Sequence, residues 1–203
     1  VSNQVFNHYQ HSSGDIVLVK AAYSTTPVLP ELFLLESFVL IIAETPRLVL
    51  RTWQESDLKA YADLLGSQHA TTEYGRHRPL SKAETDLWRY QVELDQRGWS
   101  RWAVVLKESN QLIGYCGFSS YGKAVEMSWR FRQEFRGKGI VMEAAGAITD
   151  LGFKRLGFSE IISFASMENK FAKDVMEGLG MDLQGFEGWS NRTVARYSLT
   201  QSH

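Results

Sequence analysis

The chain has 203 residues, 44% of them hydrophobic and 12% aromatic, with 22 Lys and Arg against 23 Asp and Glu and a formal net charge of -1. That length and apolar fraction suffice for one substantial core, so one domain is expected. The near-neutral balance removes the field that would draw a protein onto nucleic acid or an anionic membrane, and favours a small, locally recognised partner.

Cys116, the single cysteine, has no partner for an internal disulfide, and the five histidines (His8, His11, His69, His77, His203) lack metal-ligand spacing. A reducing, cytoplasmic setting with no metal is the expectation. Residues 38–43 (FVLIIA) are strongly apolar but too short to span a bilayer. Residues 1–43 lack the basic start and cleavage pattern of a secretory signal, so they read as an N-terminal extension. Their first thirty residues have a disorder-like composition. The FVLIIA run would pack on the domain or on a second copy, which leaves a homodimer open.

From residue 44 the pattern becomes regular. A strand is expected at 48–51, and Thr52 with Glu55 has capping-box spacing for a helix with Leu58, Tyr61, Ala62, Leu64 and Leu65 on one face. After a loop over 66–79, Ser81 with Glu84 opens a second helix that Gly98 ends. Trp88 and Trp99 read as core or rim aromatics. Strand patterns follow at 102–106, 112–118 and 124–131, with turns around Asn110 and at Tyr121-Gly122-Lys123. The remainder reads as helix 139–156, strand 160–165, helix 169–179 and strands 182–186 and 193–199. The order is β-α-α-β-β-β-α-β-α-β-β, an α+β (mixed α/β) domain over residues 44–203.

One stretch carries chemistry: residues 129–141, where a strand passes through a glycine turn into a helix. Glycine permits the turn and close approach of a ligand, and the unpaired N–H groups of a helix start suit phosphate or pyrophosphate. Arg136 and Lys138 add charge beside such an anion. The local pattern alone also fits a plain turn. A Walker loop and Gly-x-Gly-x-x-Gly are both absent, which disfavours nucleotide hydrolysis and dinucleotide binding.

Arg136-Gly137-Lys138-Gly139-Ile140-Val141 resembles the Arg/Gln-x-x-Gly-x-Gly/Ala pyrophosphate loop of the GNAT acetyltransferases. Residues 44–51, 139–145 and 169–181 resemble the RimJ/RimL-like branch, in the right order. The resemblance implies a mixed, mostly antiparallel sheet flanked by helices, splayed between its fourth and fifth strands to admit the pantetheine arm of acetyl-CoA, with coenzyme A as product. It implies that main-chain N–H groups of Gly137, Lys138, Gly139, Ile140 and Val141, beside Arg136, hold the pyrophosphate. Trp129 and Phe131 would pair through their backbone with the pantetheine amides, and Asn169, at the start of the last helix, sits where the family often contacts the cofactor. Val141 stands where glycine or alanine is commoner, and would narrow the groove. Gln133 stands where many members have proline.

Acyl transfer to an amine needs a base, a polarised carbonyl and a proton for the thiolate. Glu126, on the fourth strand beside the expected splay, is the candidate catalytic base; as a charge near Lys123 it also reads as a solvated side chain. Glu143 reads as structural. For the acid, the tyrosine position of many members is filled by Met176 and the serine of some by Ala172, which leaves water, Tyr74, Tyr115 or positioning alone. Tyr74 and His77, in the loop with Glu73, Arg76 and Arg78, are the substrate-binding candidates. The expected function is acetyl transfer from acetyl-CoA to a protein N-terminus or a small-molecule amine. The alternative is an acyl-CoA-binding sensor without turnover. Nucleic acid is disfavoured, although Arg130, Arg132, Arg136 and Lys138 would form a local basic patch.

Overall fold

A computed structural model gives the fold over residues 39–66, 80–189 and 192–201, the residues described below. In chain order these form β1 (Ile41–Glu44), β2 (Leu48–Arg51), α1 (Leu58–Gly66), α2 (Leu80–Arg97), β3 (Arg101–Leu106), β4 (Gln111–Tyr121), β5 (Ala124–Phe131), α3 (Ile140–Lys154), β6 (Glu160–Ser166), α4 (Lys170–Gly178), β7 (Asp182–Trp189) and β8 (Arg192–Thr200). The eight strands make one sheet in the order β1-β2-β3-β4-β5-β6-β8-β7. Every neighbouring pair is antiparallel except β5 with β6.

The period of two along the strands divides the burial. Trp102, Val104, Cys116, Phe118 and Met127 pack with Ile140, Val141, Ala144, Ala145 and Ile148 of α3 and Val175 and Met176 of α4 in the main core. Ala103 and Val105 instead join Tyr61, Leu64, Leu65, Ala83 and Tyr90 of α1 and α2 in a second cluster. Trp99 packs edge-on against Phe118 and Phe158, whereas Trp88 is exposed.

Both capping assignments need correction. Thr52 is tied to the chain just before β1 and caps no helix: its Oγ1 accepts the Leu40 N–H at 3.1 Å, and its own N–H donates to Leu40 O at 3.0 Å. The helical segment starts instead as a 3-10 turn over Glu55–Asp57, where Asp57 Oδ2 accepts the Gln54 N–H at 2.8 Å. Ser81 lies inside α2, where its carbonyl accepts from Thr85 Oγ1.

Strand β1 was not expected. It recruits part of the FVLIIA run to the edge of β2 and buries Ile42 in the main core. Strand β4 outlasts its expected end at residue 118 because Ser119 is held by Arg101 and Glu126, and because Tyr121 pairs directly with Ala124 across Gly122 and Lys123. Gly122 takes φ 59° there.

Candidate active site

Strands β5 and β6 share one ladder pair, Glu126 with Ile162. Beyond it Ser163 Oγ donates to Met127 O at 2.8 Å, and no further ladder pair joins the two strands toward their C-terminal ends, where they part. The register of β5 settles which main-chain groups face the parting. Arg132 N donates to Ile113 O, so Arg132, Arg130 and Ser128 turn their backbone toward β4. The alternate residues Trp129 and Phe131 turn theirs toward the gap. Their side chains go elsewhere: Phe131 is in the main core and Trp129 packs against it. The sheet is thus splayed between its fourth and fifth strands as counted from residue 48.

At the end of β5 the chain makes a short 3-10 turn, Gln133–Phe135, and then the glycine loop. Gly137 (φ 71°) and Gly139 (φ 72°) both take left-handed backbone, and a side chain at Gly137 would meet nothing within 4 Å. Helix α3 starts at Ile140 with Gly139 as its N-cap, so the N–H groups of its first turn have no intrahelical acceptor. Arg136 and Lys138 are exposed, with the Arg136 guanidinium 5.9 Å from the Phe171 ring of α4. Val141 is buried in the core, so its branched side chain points away from the loop and leaves the groove open.

The loop is tied to the other edge of the sheet. Glu143 Oε1 accepts from Thr45 Oγ1 (2.5 Å) and the Arg47 N–H (2.9 Å), and Oε2 accepts from Arg47 Nε (2.6 Å). Arg47 Nη1 in turn donates to Lys138 O at 2.9 Å. Burial by itself would raise the Glu143 carboxyl, but hydrogen bonds from Thr45, the Arg47 N–H and the Arg47 side chain outweigh it and hold the group below its ordinary value.

On the opposite face of the sheet, Glu126 lies in a polar network with its side chain only 16% exposed. Its Oε2 accepts from Ser119 Oγ at 2.9 Å and lies 3.7 Å from Arg101 Nη2, while Oε1 has no hydrogen-bond partner among the described residues. Arg101 also donates through Nε to Ser128 Oγ and through Nη2 to Ser119 Oγ, both at 2.7 Å. Further along this face a cleft of about 460 Å³ opens under α1 and α2. Its described walls are Tyr61 and Leu65 from α1, Lys82, Asp86, Arg89 and Tyr90 from α2, and Arg101, Tyr115 and Arg130 from the sheet. The Tyr61 and Tyr90 hydroxyls lie 3.0 Å apart. Burial, with smaller help from neighbouring tyrosines, pushes the Tyr61 phenol far up and Tyr90 up to about 12, so both stay protonated. Burial likewise raises the Cys116 thiol, which lies in the main core.

The structure brings Trp129, Phe131, Arg136, Gly137, Lys138, Gly139, Ile140 and Val141 to one mouth, with Glu126 at the closed end of the parting. Asn169 is the N-cap of α4, where its Oδ1 accepts the Ala172 N–H at 3.1 Å. Ala172 and Met176 are buried in the main core. The four basic residues do not form one patch: Arg130 lines the cleft, Arg132 bonds Leu112 O and Ala60 O, and Arg136 and Lys138 lie over Phe171 and Phe135. Tyr74 and His77, with Glu73, Arg76 and Arg78, lie outside the described residues. Arg101 and the Tyr61–Asp86–Tyr90 group were missed. Their signal was a carboxylate four residues before a tyrosine on a helix face that otherwise reads as core.

A mostly antiparallel sheet parted between two parallel strands, with a glycine loop and a helix start at the mouth of the parting, defines an α+β domain of the GNAT fold. The family description "Acetyltransferase (GNAT) domain" matches residues 47–182, and the chain belongs to that family. By that membership it is an acyltransferase. YnaD of Bacillus subtilis, described as an uncharacterized N-acetyltransferase, is 34% identical over 88 residues, 42% of this chain and 52% of that protein, so the match spans about half of that relative. An acetyltransferase structure from Agrobacterium tumefaciens shares the fold with a TM-score of 0.69 at 24% identity, over 85% of this chain and 99% of its own. So does a structure of RimL, a ribosomal-protein α-N-acetyltransferase, in complex with coenzyme A, with a TM-score of 0.68 at 19% identity over 79% and 97% of the two chains.

Proposed function

We propose that this chain is an N-acetyltransferase that moves the acetyl group of acetyl-CoA to a primary amine by direct attack while both substrates are bound. The observation that carries this reading is the β5–β6 parting, which opens at the glycine loop and the N-terminus of α3. A strand edge with unpaired amide groups on Trp129 and Phe131 suits an amide-bearing pantetheine arm. The N–H groups of the α3 start, with Arg136 and Lys138 beside them, suit a pyrophosphate. Gly137 fits that task, since its left-handed backbone and open surroundings leave the main chain accessible.

When bound, acetyl-CoA supplies the acyl group as an activated thioester. Glu126 sits where the two strands rejoin, and its Oε1, without a partner among the described residues, accepts the proton of the amine through a water. At pH 7 this asks little for an α-amine, whose pKa near 8 makes deprotonation cost about 1.4 kcal/mol, and more for lysine at about 4.6 kcal/mol. An N-terminal α-amine or a small amine of similar basicity is therefore the favoured acceptor. Tyr115 pairs with Arg130, four residues along the sheet from Glu126, so water and not this phenol is the proton source for the departing thiolate.

The test is thiol release from acetyl-CoA against N-terminal peptides, polyamines and aminoglycosides, with calorimetric binding of acetyl-CoA in parallel. Amine-dependent release is expected. Tight binding with no release from any acceptor would favour a sensor, and absence of binding would remove the reading of residues 136–141.

A further inference from the structure

We propose that the cleft under α2 receives an anionic group of the acceptor, so that the preferred acceptors are amines that also carry a carboxylate. The acceptor part of this statement rests on the N-acetyltransferase reading; the anion site does not.

Among the described residues of the cleft, Lys82, Arg89, Arg101 and Arg130 stand against the single carboxylate of Asp86. Asp86 is already shared: Lys82 Nζ lies 3.1 Å and Arg89 Nη2 3.3 Å from its Oδ1, and Tyr61 OH lies 3.5 Å from Oδ2. Arg101 is engaged by Ser119, Ser128 and Glu126. Arg130 is different, because its Nη1 is buried and makes no hydrogen bond. A guanidinium nitrogen removed from water without an acceptor is costly, and native structures seldom leave one so. An oxygen anion in the cleft, met by a turn of the Arg130 guanidinium toward it, would supply the acceptor.

The surroundings suit that ligand. Tyr115 pairs with Arg130 across β4 and β5, on the same face of the sheet, and offers a second donor from the same wall. Arg130 also sits between Trp129 and Phe131, whose backbones face the parting. An anion held by Arg130 therefore lies beside the strand edge along which the acyl group would arrive. Glu126 is four residues back on that face, roughly 13 Å along the strand. That span fits an acceptor whose amine and carboxylate are several bonds apart, such as an acidic peptide terminus. Polyamines and aminoglycosides would bring more cations to a wall that already has four.

The experiment compares acceptors that differ only in the anionic group: peptides with glutamate or glutamine at the second position, and 5-aminopentanoate against pentylamine. Glutarate, which has no amine, is titrated calorimetrically into the protein with coenzyme A present. The wild type is expected to favour the acidic member of each pair by about tenfold or more in kcat/KM. Arg130→Gln should bring that ratio close to one and weaken glutarate binding, while Arg130→Lys should restore part of both. Equal use of acidic and neutral acceptors by the wild type, or a preference that survives Arg130→Gln, overturns the proposal and leaves the transferase reading standing. If no amine releases thiol, glutarate binding that depends on Arg130 supports the anion site while the transferase reading fails; glutarate binding that is absent or indifferent to Arg130 overturns the site. The paired acceptors test the wild type alone, so the proposal does not hang on the variants folding.

Discussion

Gly137→Ala separates the loop's part in binding from its part in stability. Gly137 is exposed, takes φ 71°, and a methyl there would touch nothing within 4 Å. Its substitution therefore introduces backbone strain and no clash. Left-handed backbone costs an L-residue roughly 1–2 kcal/mol. In the free protein an exposed loop relaxes to escape that strain, so the melting temperature should move by no more than about 2 °C. Binding coenzyme A would force the loop back, and the same 1–2 kcal/mol becomes a loss of about 5- to 30-fold in affinity. Asparagine tolerates left-handed backbone, so Gly137→Asn should keep most of the affinity. The assay is calorimetry with coenzyme A alongside thermal melts of all three proteins. Wild-type affinity in Gly137→Ala would refute the assignment of this loop to the pyrophosphate. A loss as large in Gly137→Asn as in Gly137→Ala would show that strain is not the cause.

Glu126→Gln keeps an oxygen for Ser119 but cannot take a proton, and should lower kcat about 10²-fold at neutral pH. The deficit should shrink as the pH passes the pKa of the acceptor amine; a pH-independent deficit would point to a structural role. Glu143 has its carboxyl held low in the fold, so its stabilising contribution is present above the unfolded value, near 4.3, and is lost as pH falls through the folded value. Thermal melts of Glu143→Gln should lie below wild type at pH 7 and converge with it in acid; parallel curves down to pH 3 would contradict the hydrogen-bond account. Asp57 meets Arg51 through two hydrogen bonds of 2.7 and 2.9 Å, with both side chains largely buried. Removing the carboxylate in Asp57→Ala should cost about 3–5 kcal/mol by urea denaturation. A cost below about 1 kcal/mol would mean that water reaches the Arg51 guanidinium freely.

The legible parts of this sequence were those whose signal is periodic or stereochemically obligatory. Strand β5 was bounded correctly because Gly122 before it and the change of pattern after Phe131 are both strong marks. The helix and strand order from residue 101 onward came from apolar repeats that one core enforces. Capping failed where a side chain had a stronger use elsewhere: Thr52 closes a bond with Leu40, a partner twelve residues away that local spacing cannot reveal. The end of β4 was misplaced for the same reason, since Ser119 looks like a turn residue until Arg101 and Glu126 are brought beside it.

The two faces of the sheet explain why the proposed donor side could be read as a motif, while on the proposed acceptor side Glu126 and Tyr115 could be singled out but Arg101 and Arg130 could not be joined to them. On the α3 face, the loop must place glycines at two left-handed positions, and Glu143 must reach Thr45 and Arg47 to fasten it to the far edge of the sheet. Those demands leave fixed letters in one short stretch. On the α2 face, Arg101, Tyr115, Glu126 and Arg130 come from three strands, and each is an ordinary polar residue in its own local context. Only the pairing of Tyr115 with Arg130, and the reach of Arg101 across β4 to Ser128, make them a site. On the reading proposed above, acceptor choice is written in cross-strand neighbours, and a change at Arg130 should redirect it without disturbing the loop that marks the family.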